Sequence, residues 1–272
     1  MAESNELTVV DRLESLAIGV YCKASGMDTV PYPLIVRPHA ASAGALERRE
    51  SEILQWLRTD PPRHLTRWIQ VCMRPDISVQ LSGVFLDSAG KVTRSVGIHA
   101  VRQADDGFLA VQDSQSTTAT TDVSIYSVDA VRIANAIVQF TPDVAPGTLG
   151  EVMTRPSRHI HRRPATTVME RNNSPGSALH QYRSENTTFS AFVQVKPFRL
   201  FDWGYDERSM HVHWEHKADD GQYLLIRDDS ELAIPADRNR LTRQINASIA
   251  KAVHVVREKR ESLPANVYAG DA

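Results

Sequence analysis

The stretch "HVHWE" sets His211, His213 and Glu215 at alternate positions. On a strand, such alternation puts all three on one face and Met210, Val212 and Trp214 on the other. Two imidazoles and a carboxylate can hold iron or zinc, and His159 and His161 could add a second pair from a loop. Neither an HxE…H spacing nor an HExxH helix accompanies them. The simpler reading is an amphipathic strand with a solvated polar face. No metal is expected, and a metal-dependent enzyme centred on His211, His213 and Glu215 stands as the alternative.

A second carboxylate feature is the tetrapeptide "ADDG", at Ala104 to Gly107 and again 114 residues later at Ala218 to Gly221. A calcium loop would need oxygen donors at regular spacing and a later bidentate glutamate, and neither follows. Asp and Gly between two alternating apolar stretches are hairpin chemistry, with Gly supplying a positive φ. Residues 154–175 carry Arg155, Arg158, Arg162, Arg163 and Arg171 without periodicity. They read as a solvated loop, and an RNA-binding adaptor built on it is a third alternative. No G-x-S-x-G, Gly-rich phosphate loop or telling Cys/His pair is present. Cys22 and Cys72 fall in amphipathic helical patterns and read as packing residues. One feature points to protein binding: "KPFRLFDWGY" gathers Phe198, Phe201, Trp203 and Tyr205 with Arg199, the residue types of interface hot spots.

The elements that carry these residues repeat. Around each ADDG the order is strand, strand, strand, short strand, helix. "DISVQLSGVF" puts Ile77, Val79, Leu81 and Phe85 on one face; "TFSAFVQV" does the same with Phe189, Ala191, Val193 and Val195. The helices that follow carry apolar stripes, Ala130–Ile133–Ala134–Ile137–Val138 and Leu241–Ile245–Ile249–Val253–Val256, with Ser127 and Asp237 as expected N-caps. Ahead of the first meander, a short strand leads into a helix within residues 8–24, and two helices follow at 45–58 and 63–73. Only one helical stretch, "GSALHQYRS", precedes the second. The expected fold is α+β, an antiparallel meander plus helix duplicated within the chain. It forms a single domain, 1–272, built from two pseudo-repeats of about 1–142 and 143–272.

With 272 residues and a net charge of -2, nothing calls for nucleic acid or an anionic membrane. No apolar run reaches the length of a membrane span, and the acidic start "MAESNELTVVDRLESLA" lacks the pattern of a signal peptide. A cytoplasmic location is expected, with two well-separated cysteines unsuited to a disulfide framework.

Three stretches resemble the EspG family, the cytosolic chaperones of type VII (ESX) secretion. They are "LTVVDRLESLAIG", "RPDISVQLSGVF…VGIHAVRQADDGFLAVQD" and "ADDGQYLLIRDDSELAIPADRNRLTRQI". The resemblance covers most of the chain and rests on order and duplication. It implies a quasi-twofold α+β fold, a duplicated antiparallel meander sheet with two helical bundles, and a non-enzymatic, cofactor-free protein that binds the helical tip of the PPE subunit of a PE–PPE heterodimer. A monomer or weak homodimer is expected, since such folds can pair through exposed sheet edges. Carried onto this sequence, partner contacts are expected at the turn Leu86 to Lys91, with Asp87 and Lys91 as candidates. On the sheet they are expected at His213 and Glu215, and on the last helix at Arg243 and Ile249; the aromatic turn adds Phe198, Phe201 and Trp203 on the strength of its own residue types.

Overall fold

In the computed structural model the residues described are 7–38, 40–115, 122–155, 175–198, 209–227 and 231–262. Ten strands among them form one antiparallel sheet. The strands are β1 (Val9–Leu13), β2 (Ile77–Leu86), β3 (Val92–Gln103), β4 (Asp106–Ser114), β5 (Val123–Asp129), β6 (Val152–Arg155), β7 (Thr187–Pro197), β8 (Met210–Lys217), β9 (Gly221–Arg227) and β10 (Glu231–Pro235). Their order is β1-β5-β4-β3-β2-β7-β8-β9-β10-β6. Read outward from the β2–β7 pair, the two sides match strand for strand. Each is a meander (β2-β3-β4-β5 and β7-β8-β9-β10) closed by an edge strand from elsewhere. The helices are α1 (Ser15–Ala24), α2 (Ala43–Thr59), α3 (Arg63–Met73), α4 (Ile133–Val138), α5 (Pro175–Ser184) and α6 (Arg238–Ser262).

Period-two patterning divides the sheet. One face carries Ile77, Val79 and Leu81 on β2, Ala191, Val193 and Val195 on β7, and Val212 and Trp214 on β8, all packed under α4 and α6. This is the main core. The opposite face is covered on one side by α1, α2 and α3, over Val101, Phe108, Ala110 and Ile125. On the other side a smaller cluster of Val152, Tyr223, Leu225 and Ala233 lies under Tyr182 of α5. The N-terminus of α3 is fixed by β1, whose Asp11 Oδ2 accepts from the Leu65 N–H at 2.7 Å. Cys22 and Cys72 are buried, and burial pushes the Cys22 thiol up to about 12, so it is inert.

Both ADDG copies are hairpin turns, but by different means. In the first the residue with positive φ is Ala104, at 52°, not the glycine. Gly107 already lies in β4, where an added Cβ would sit 2.4 Å from the Val128 carbonyl. The missing side chain serves close approach there, which corrects the expectation of a glycine bulge. In the second copy Gly221 does have the glycine backbone, with φ 154°. Asp237 caps α6 as expected, accepting from the Arg240 N–H at 2.6 Å. Ser127 does not cap, because β5 runs on to Asp129 before the chain turns into helix. The first copy's helix is accordingly one 3₁₀ turn plus six residues, against 25 residues for α6.

Candidate protein-binding face

Strand register arranges the central side chains of the second face in three cross-strand rows. The first is Ser95, Val84, Ser190, Glu215 and Tyr223. The second is Gly97, Ser82, Phe192, His213 and Leu225. The third is His99, Gln80, Gln194 and His211. The third row is closed over: His99, Gln80 and Gln194 are buried. His99 lies 3.2 Å from Ser78 Oγ and 3.8 Å from Cys72 Sγ. Burial, and then the charge of Lys196, holds the His99 imidazole down to about 3, so it stays neutral.

Among the described residues, the first two rows are closed over at their ends. At one end the segment 31–37 lies on β3 and β4. An added Cβ on Gly97 would meet the Pro33 carbonyl at 3.2 Å, and the Gln112 side chain bonds both backbone groups of Ile35 at 2.8 Å. At the other end α5 sits over Tyr223 and Leu225. Between these walls Ser82, Val84, Ser190, Phe192 and His213 remain half-exposed. They form a strip of small and amphipathic side chains with one aromatic ring, bordered by the half-exposed Ile35.

The polar groups of the strip are already engaged. His213 Nε2 lies 3.2 Å from Ser190 Oγ. Glu215 takes the Tyr182 hydroxyl on one oxygen and lies 3.1 Å from Lys217 Nζ. The Lys217 ammonium sits 4.3 Å from the centre of the Tyr182 ring. Burial and the Glu215 charge raise the Tyr182 hydroxyl well above the ordinary phenol range, so it remains a donor. Among the described residues no group of three His, Cys, Asp or Glu is placed to hold a metal. Positions 211 and 215 on one strand stand about 13 Å apart, too far for one ion. His159 and His161 lie outside the described residues.

The expected contact residues are not brought into one patch. His213 and Glu215 lie on the strip. Asp87 and Lys91 form the turn beyond it, where Asp87 Oδ1 accepts from the Ala89 and Lys91 N–H groups at 2.9 Å. Asp87 thus builds the turn, and Lys91 is exposed. Phe198 is at the far end of β7, packed against the main core with Lys259 Nζ 4.6 Å from its ring centre. Phe201 and Trp203 lie outside the described residues. Arg243 is exposed on α6, on the other side of the sheet. Ile249 is a core residue, 8% exposed; it faces the sheet because it shares the stripe of Leu241, Ile245 and Val256. Sequence reasoning missed Phe192, Ser190 and Tyr182. The signal was there for Phe192: the alternation that sends Phe189, Ala191 and Val193 inward leaves an aromatic among Ser190 and Gln194 on the polar face.

The EspG family model matches residues 16–247, and the chain belongs to the EspG family. The fold is similar to a solved structure, that of the Mycobacterium tuberculosis type VII secretion system chaperone EspG5 in complex with a PE25–PPE41 dimer. The TM-score is 0.50 at 13% identity, over 94% of this chain and 97% of that one. A search of curated proteins gives no match.

Proposed function

We propose that this protein is a non-enzymatic chaperone or adaptor of type VII secretion. It binds the helical tip of a PE–PPE-type heterodimer through the PPE subunit and keeps it soluble until export. Membership of the EspG family supports this reading, as does the likeness to a chaperone solved with a PE–PPE dimer. The observation that carries it on this chain is the half-open strip over β2, β7 and β8. A packed sheet centre that leaves Phe192 and His213 half-exposed between the segment 31–37 and α5 offers a helix end an apolar floor with a polar rim.

The role calls for no cofactor and no catalytic group. It is exercised in the cytoplasm, by a single domain of two repeats, about 1–142 and 143–272. No helix among the described residues is long and apolar enough to cross a membrane, which is consistent with that setting. The turn residues Asp87 and Lys91 are read as rim contacts that set partner choice; Arg243, across the sheet from the strip, would serve only a partner that reaches α6.

Co-expression with PE–PPE heterodimers from the same genome, followed by light scattering, tests the proposal. The expected product is one discrete species with one copy of each chain. Phe192→Asp and His213→Glu should each abolish it while leaving the isolated protein folded. Absence of a complex with every candidate heterodimer, or a complex indifferent to both substitutions, would overturn this reading of the strip.

A further inference from the structure

Helix α5 is held unlike the helices on the other half of its face. Its ten residues are too few for a stable isolated helix. It contributes Ala178, Leu179 and Tyr182 to a small satellite cluster, whereas α1, α2 and α3 share a large one. Its side-chain ties to the sheet include Tyr182 to Glu215, and Arg183 Nη2 to the Thr154 carbonyl at 3.0 Å. The Tyr182 and Tyr223 rings meet edge to face, 5.2 Å apart.

The polar groups under α5 do not depend on it. Without Tyr182, Glu215 keeps Lys217 at 3.1 Å, and Lys217 keeps Thr187 Oγ1 at 3.1 Å. The Tyr223 hydroxyl keeps Asp220 and the Leu149 N–H. Among the described residues of the sheet, Glu215, Lys217 and Tyr223 therefore keep polar partners when α5 lifts, which lowers the usual penalty for undocking a helix. What it uncovers is apolar: Tyr223, Leu225, Val152 and Ala233. Register sets this patch beside the strip, with His213 paired to Leu225 and Glu215 paired to Tyr223.

We propose that α5 is a displaceable strap whose seat is a concealed extension of the docking face. The occupant is the apolar helical tip of the same partner, presenting an aliphatic and an aromatic side chain three residues apart, as Leu179 and Tyr182 are on α5. The partner's identity rests on the function proposed above; the displacement itself is a property of the free protein.

Hydrogen exchange of the full chain, alone and bound to a co-purified PE–PPE heterodimer, tests this. In the free protein, α5 amides should exchange at least about tenfold faster than those of α3 while β9 stays protected. Tyr182→Phe should speed α5 further and leave α3 unchanged. In the complex, α5 should lose its remaining protection and β9 keep its own. Exchange of α5 as slow as that of α3 in the free protein, or protection of α5 gained on binding, would overturn the strap. Failure of every heterodimer to bind would count against the chaperone reading alone, since the free-protein comparison still decides the strap.

Discussion

Gln194 donates its side-chain amide to the Gln80 carbonyl oxygen across the β2–β7 pair, and the two residues are 114 positions apart. That is also the separation of the two ADDG turns. The glutamines are therefore equivalent positions of the two halves. They are register partners on the central strand pair and bond to each other where the halves meet, fully buried.

A buried amide deprived of its partner costs about 1–3 kcal/mol. Gln80→Leu and Gln194→Leu should each destabilise the protein by that amount. The double substitution should cost clearly less than the sum, because two leucines leave this contact with no stranded polar group. Chemical denaturation of the two single variants and the double variant closes the cycle. Strict additivity would show that the glutamines do not act as a pair.

Acid should weaken the fold early. His99 is held neutral in the folded chain down to about 3, while in the unfolded chain it takes a proton near 6.5. Between those values the unfolded state binds more protons, so stability rises with pH and is lost on acidification below 6.5. The loss from this group runs up to about 1.4 kcal/mol per pH unit. Burial depresses His216 in the same sense. Denaturation midpoints from pH 7 down to pH 4 should fall steadily, and His99→Gln should flatten the slope. An unchanged slope would remove His99 from the explanation.

Gly147 lies against Tyr223, where an added Cβ would sit 2.0 Å from Cζ and 2.2 Å from Cε2. The ring cannot swing aside, because its hydroxyl is tied to Asp220 and the Leu149 N–H. Gly147→Ala should cost about 3 kcal/mol or more, at the upper end of overpacking penalties. Thermal melting would detect it as a shift of several degrees, and a melting point within a degree of the parent would disprove the clash.

Asp76 is shared between two elements. One carboxylate oxygen accepts from the Ala104 N–H at 2.8 Å, which steadies the first hairpin; the other takes Arg260 from the last turn of α6. Because Arg260 is half-exposed, Arg260→Ala should cost no more than about 1 kcal/mol. Asp76→Ala, which also strands a backbone donor, should cost about 2–3 kcal/mol. Equal losses from the two would show that the hairpin contact carries no weight.

The fold was largely legible in the sequence, because period-two alternation on β2 and β7 and the Asp237 cap are local signals. The half-open strip was not. Its half-open state depends on what lies over it, and that depends on segment 31–37 and on α5, which are remote in sequence from Phe192 and His213. The same holds for Ile249, which a helical stripe marks as apolar without saying which surface the stripe meets. Glu215 is marked by the sequence as one polar residue of a strand face, and only the fold brings Tyr182 of α5 onto it.

The symmetric strand order has a consequence for assembly. The nine register pairs of the β2–β7 ladder join the halves much as an isologous interface joins two subunits, here with both partners on one chain. Such a molecule behaves as a tethered pair of similar subunits that have divided their labour. One keeps three helices over its own flank. The other has α5 alone among the described helices on that same face, and keeps the half-open strip beside it.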